Sequence, residues 1–148
     1  MKSTLDKSTR DKLIIRINLL NENSTAEWGK MNVFQMIKHC ILWEEMVLGI
    51  KTYKQSFIGR IFGKIALRSI LKDENPLKRK TPTMPAFIIK EINGDITNDK
   101  IKWVALIEQY EHFNKDNFIH PFFGKMTKEE ICYMAYKHVD HHLRQFGV

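Results

Sequence analysis

His138, His141 and His142 continue a row that begins Ile131, Met134, Ala135 and ends at Gln145. Residues spaced i, i+3, i+4 and i+7 share one face of an α-helix, and the whole row falls within about 120° of the circumference. Its first half is apolar and must face a core. Its second half keeps that face and changes to imidazole and amide, so the histidines point inward, where they have to be paired, neutral or metal-bound. His138 and His142 have the i, i+4 spacing that lets two imidazoles share one ion, with His138 and His141 as the i, i+3 alternative. A third ligand has to come from another helix, and His39, on the border of an apolar stripe, is the candidate. Three neutral imidazoles suit Zn²⁺, Ni²⁺ or a similar divalent ion and leave one or more positions for water or substrate.

Other residues carry weaker signals. An HxxxH pair on a helix is by itself unspecific, and His39 also fits as a core-edge histidine. His141 reads as flanking the cluster, His112 as an ordinary helix-face residue and His120 as a loop residue. Glu44 lies five residues after His39, in the middle of the same stripe. A half-buried carboxylate there is a candidate to orient a ligand histidine or to act as a general base. The plainer alternative is a helix-edge glutamate paired with a lysine. Asp140 falls on the opposite side of its helix from His138 and is expected in solvent. Cys40 and Cys132 sit in apolar helical patterns and read as buried thiols of a reducing cytoplasm.

The elements that must position these groups are helical. Leu13, Ile14, Ile17 and Leu20 mark a first helix with Ser8 as its cap, ended by residues 21–24. Asn32 and Gln35 open a second with reciprocal capping, whose stripe is Val33, Met36, Ile37, Cys40, Trp43 and Val47. A third runs over about 57–71, with Ile58, Ile61, Phe62, Ile65 and Ile70 among Arg60, Lys64, Arg68 and Lys72. It is expected to cap the bundle or wall a pocket, with an anionic membrane surface as the alternative. Pro76, Pro82 and Pro85 make residues 72–90 an extended strap. A fourth helix follows Asp95 with Trp103, Leu106, Ile107, Tyr110 and Phe113 on one face. The last starts at Thr127, where Glu130 completes a capping box.

The expected fold is a single all-α domain over residues 1–148, a four-helix bundle with one short extra helix and a proline-containing strap. Composition agrees, with 148 residues, 43% hydrophobic and 28% charged. Two cysteines exclude a disulfide framework, and no apolar run approaches the roughly 18 residues of a membrane span. The net charge of +7 is spread along the chain without a nucleic-acid-binding motif, so no specific nucleic-acid partner is expected.

Two stretches resemble the DinB/YfiT-like superfamily. One is residues 28–40, Trp28-Gly29-Lys30-Met31-Asn32 leading into Gln35-Met36-Ile37-Lys38-His39-Cys40. The other runs from His120-Pro121-Phe122-Phe123-Gly124 through Tyr136-Lys137-His138-Val139-Asp140-His141-His142-Leu143-Arg144-Gln145-Phe146-Gly147. Residues 76–83 are similar to an uncharacterised bacterial branch of it. The resemblance covers about residues 28–148. It implies a four-helix bundle holding a divalent metal on His39, His138 and His142, zinc or nickel first among the choices. It also implies a small-molecule substrate and S-transferase chemistry with a low-molecular-weight thiol, with metal-assisted hydrolysis second, and a homodimer. A non-catalytic, metal-stabilised binding or interaction module is the alternative.

Overall fold

The computed structural model describes every residue of the chain except Asn117. Five α-helices pack together: α1 (Lys7–Leu19), α2 (Val33–Val47), α3 (Phe57–Leu71), α4 (Ile96–Glu108) and α5 (Lys128–Gln145). Short 3-10 turns occupy Pro85–Phe87 and Gln109–His112, and β1 (Phe118–His120) pairs antiparallel with β2 (Gly124–Met126). The central pair is α2 against α4. α1 lies over α4 and α5, and α3 packs on α5 and β2. The core holds Leu13, Ile17, Met36, Ile37, Trp103, Ile107, Tyr110 and Ile131, each almost wholly buried. Among the described residues, no helix is long and apolar enough to cross a membrane.

Local capping explains where the two site-bearing helices begin. The Asn32 side chain accepts from Gln35 N–H while the Gln35 side chain accepts from Asn32 N–H, and Thr127 and Glu130 repeat the arrangement on α5. Each box satisfies two of the backbone donors that a helix start leaves without partners. α1 differs from expectation, because it starts at Lys7 and Ser8 lies inside it. The amides of Thr9 and Arg10 bond the Asp6 carbonyl. Buried Arg10 donates to the carbonyls of Thr4 and Leu5 (3.0 and 2.7 Å), fixing that turn.

The extra helix is not short, since α3 has the same 15 residues as α2. Nor does it bury most of its large side chains. Gly59, Gly63 and Leu67 face inward, whereas Phe57, Ile58, Ile61, Phe62 and Ile65 are exposed. A Cβ at Gly63 would collide with the backbone carbonyl of Phe122. The glycines therefore let α3 press directly onto the β1–β2 connection. In an unconstrained helix Gly→Ala gains about 1 kcal/mol. Gly63→Ala is instead expected to cost about 1–3 kcal/mol through overpacking, read as a lower urea midpoint.

The segment between α3 and α4 does not run extended throughout, since it turns at Arg79–Lys80 and again in the 3-10 turn Pro85–Phe87. Its carbonyls at Ile89 and Ile92 accept from the Gln35 and Asn32 side chains (3.1 and 2.7 Å), which tie it to the start of α2. Lys137, buried on α5, donates to the carbonyls of Ile70, Asp73 and Asn75 (2.5, 2.6 and 3.1 Å). Its ammonium thereby closes the C-terminal end of α3, where helix carbonyls lack partners.

Candidate metal centre

The apolar stripes of α2 and α5 meet, and their histidines meet with them. His39, His138 and His142 each offer one ring nitrogen within 4.8 Å of the others. The shortest separation is His39 Nε2 to His138 Nε2, 3.2 Å, across 99 positions of sequence. Two nitrogens about 2.0–2.1 Å from a tetrahedral zinc ion stand roughly 3.3–3.4 Å apart, so this spacing fits ligation of one ion. His138 stacks on Trp43 at 4.6 Å between ring centres, which holds its ring against α2. The side chains are only 4, 7 and 7% exposed for His39, His138 and His142.

Hydrogen bonds decide which nitrogens remain available. His39 Nδ1 lies 3.0 Å from the Phe87 carbonyl, which can only accept, so Nδ1 carries the proton and Nε2 a lone pair. Gln145 Nε2 donates to the Trp28 carbonyl at 2.8 Å, leaving Gln145 Oε1 2.9 Å from His142 Nδ1. His142 therefore also keeps its proton on Nδ1 and presents Nε2. Such outer partners orient and strengthen imidazole ligands. His138 Nδ1 is buried with no partner among the described residues. Its proton rests on Nε2 when that nitrogen donates to His39, and must sit on Nδ1 when Nε2 ligates. Of the three candidate ligands, His138 is thus the one with the least support.

Burial holds all three imidazoles neutral. The His39 pKa is lowered chiefly by desolvation. His138 is pushed well down by burial and then by His142 and His39, and His142 by burial and then by His39. A neutral imidazole is the form that binds a metal. Substituting Gln145→Leu removes the acceptor for His142 Nδ1. It is expected to weaken Zn²⁺ binding about 10–100-fold, as measured by competition with a chromophoric chelator, with the helical content unchanged.

The other singled-out residues divide. His141 is half-buried, edge-on to both His142 and Trp28 (5.1 and 5.8 Å). It lines a cleft of about 260 Å³ together with Trp28, Leu77, Arg79 and Arg144. Arg79 lies over the Trp28 ring at 4.1 Å. Glu44 is wholly buried elsewhere in the core, accepting from the Tyr110 hydroxyl at 2.5 Å, and bonds none of the three histidines. Desolvation pushes its pKa up to about 8, against the lowering effect of the Tyr110 bond. The expected lysine partner is also absent among the described residues.

Asp140 is not free in solvent, because Arg16 of α1 bonds it at 2.6 Å. His120 is no plain loop residue: it is buried, its Nδ1 accepts from the amides of Phe122 and Phe123, and desolvation takes its pKa down to about 4. His112 is exposed, and both cysteines are free and buried, as expected.

Phe87, Trp43 and Trp28 complete the site, and sequence reasoning gave them no role there. Gln145 was already on the histidine face, three residues beyond His142, and that spacing was the available signal for its bond. Comparison with curated proteins finds no match, and comparison with solved structures finds none either. A family model described as a protein of unknown function, DUF1569, matches residues 1–147. With practically the whole chain covered, this histidine-centred helical protein belongs to the DUF1569 family.

Proposed function

We propose that the chain is a small metal-dependent enzyme of the DinB/YfiT-like kind, with His39, His138 and His142 as ligands of one divalent ion, zinc or nickel. The observation that carries this reading is the convergence of three buried, neutral imidazoles, two of which have their Nδ1 protons engaged by Phe87 and Gln145. When bound, the ion supplies a positive charge that lowers the pKa of a coordinated water or thiol toward neutrality. The superfamily resemblance favours S-transfer with a low-molecular-weight thiol, and metal-assisted hydrolysis ranks second. Trp43 and Phe87 shield the ligands from water. The cleft lined by His141, Arg79 and Arg144 is the approach for a small-molecule substrate, next to ligand His142. Glu44 is given no catalytic part, because its hydrogen bond goes to Tyr110.

A second reading draws on the burial itself. A shell this enclosed also suits an ion that only ties α2 to α5 in a non-catalytic binding module. Cobalt substitution separates the two. In the Co²⁺-loaded protein an open coordination position is expected to give a visible spectrum that shifts on adding L-cysteine or azide. A spectrum unmoved by either ligand would assign the site to the stabilising module. Failure to bind Co²⁺, Zn²⁺ or Ni²⁺ would remove both readings.

A further inference from the structure

We propose that the outward face of α3 is a docking surface for an anionic lipid bilayer. The helix is turned opposite to one that serves only the core. Its small face, Gly59 and Gly63, is pressed against the Phe122 backbone, while Phe57, Ile58, Ile61, Phe62 and Ile65 are each more than half exposed. At 100° per residue those five side chains form one continuous face about 140° wide. Scattered exposed apolar residues are ordinary on a protein surface, but a contiguous stripe of this size marks an interaction site.

Charge selects the partner. From Lys51 to Lys72 the chain holds six basic residues, Lys51, Lys54, Arg60, Lys64, Arg68 and Lys72, and no acidic one. Lys51, Lys64 and Lys72 pair with Glu45, Glu130 and Asp73, whereas Lys54, Arg60 and Arg68 have no ion-pair partner among the described residues. Two copies joined through α3 would bring these cations together with no carboxylate on either helix to offset them. An anionic surface satisfies them instead. Large apolar side chains beside lysine and arginine, on a helix with no spanning length, are the composition of a helix lying in the headgroup plane.

Cosedimentation of the full-length protein with vesicles tests this. Vesicles of phosphatidylserine in phosphatidylcholine are expected to bind at least about tenfold more protein than phosphatidylcholine alone, and the excess should vanish as NaCl is raised. Ile61→Glu/Ile65→Glu and Arg60→Glu/Arg68→Glu should each remove most of that binding. Their thermal midpoints should stay at the wild-type value, since all four side chains are exposed. Equal binding to both vesicle types, or full binding by both variants, overturns the proposal. So does a homodimer in light scattering that Ile61→Glu/Ile65→Glu dissociates, which would give the face to a second copy of the chain.

Discussion

The double substitution His138→Ala/His142→Ala is expected to take bound divalent metal from about one ion per chain to about a tenth of that or less, because a single remaining imidazole cannot hold the ion. The measurement is elemental mass spectrometry on tag-free protein prepared without chelators and then supplied in turn with Zn²⁺, Ni²⁺ and Mn²⁺. Exposed His112→Ala is the control and should keep its metal. The same loss has a thermal signature. An ion that binds only the folded chain, at a free concentration one hundred times its Kd, adds about 2.7 kcal/mol. That corresponds to a rise in Tm of roughly 5–10 °C for a chain of this size. Wild-type protein should show this rise on adding metal, and the double variant should not. If wild-type protein takes up no ion after all three metals have been supplied, the metal-centre reading is wrong. The three histidines would then be a packed cluster in which His138 donates to His39.

Glu44 yields the second large effect, in stability rather than ligand binding. The folded chain holds this carboxyl protonated up to about pH 8, because ionising it would place a charge in the core between α2, α4 and α5. In the unfolded chain it ionises at an ordinary glutamate value near 4.5. Between those two values the folded state binds the extra proton, so stability falls as pH rises, by about 1.4 kcal/mol per pH unit. Below the unfolded value the contribution is fully present, and above the folded value it is fully lost. The total is of the order of several kcal/mol, a large share of a typical domain's stability. Glu44→Gln keeps the shape without the titration. The difference between wild-type and Glu44→Gln urea unfolding free energies should therefore slope across this window and be flat outside it. Titration of the buried histidines is common to both proteins and cancels in that difference. A flat difference curve from pH 4 to 9 would mean that the folded core does not hold Glu44 protonated.

The two site-bearing helices were legible because the forces that define them are local. Asn32 with Gln35, and Thr127 with Glu130, are three residues apart and form reciprocal caps, so their helix starts could be read directly. Ser8 misled for the same reason. It has the chemistry of a cap, but the backbone of Asp6, fixed by Arg10 reaching back to Thr4 and Leu5, starts the helix earlier. The β1–β2 hairpin is not legible in the sequence, which marks His120 only as a loop residue, because three-residue strands carry too short an alternation to stand out. Asp140 falls on the side of α5 away from His138, as its spacing gives, but the packing of α1 pairs it with Arg16 rather than leaving it in solvent.

What the sequence by itself determined is the set of helices and, for all but α3, the inward face of each. It thereby placed His138 and His142 on the core side of α5 and His39 at the edge of the α2 stripe. Periodicity is a property of neighbours in the chain, and a side chain's direction around its own helix follows from it. What only the tertiary structure decided is how faces from different helices meet. The 3.2 Å approach of His39 and His138, the strap carbonyl that sets the His39 proton and the isolation of Glu44 with Tyr110 all join residues dozens of positions apart. The orientation of α3 belongs to the same class. Its periodicity defines an apolar face, but the contact of Gly59 and Gly63 with the Phe122 backbone turns that face outward.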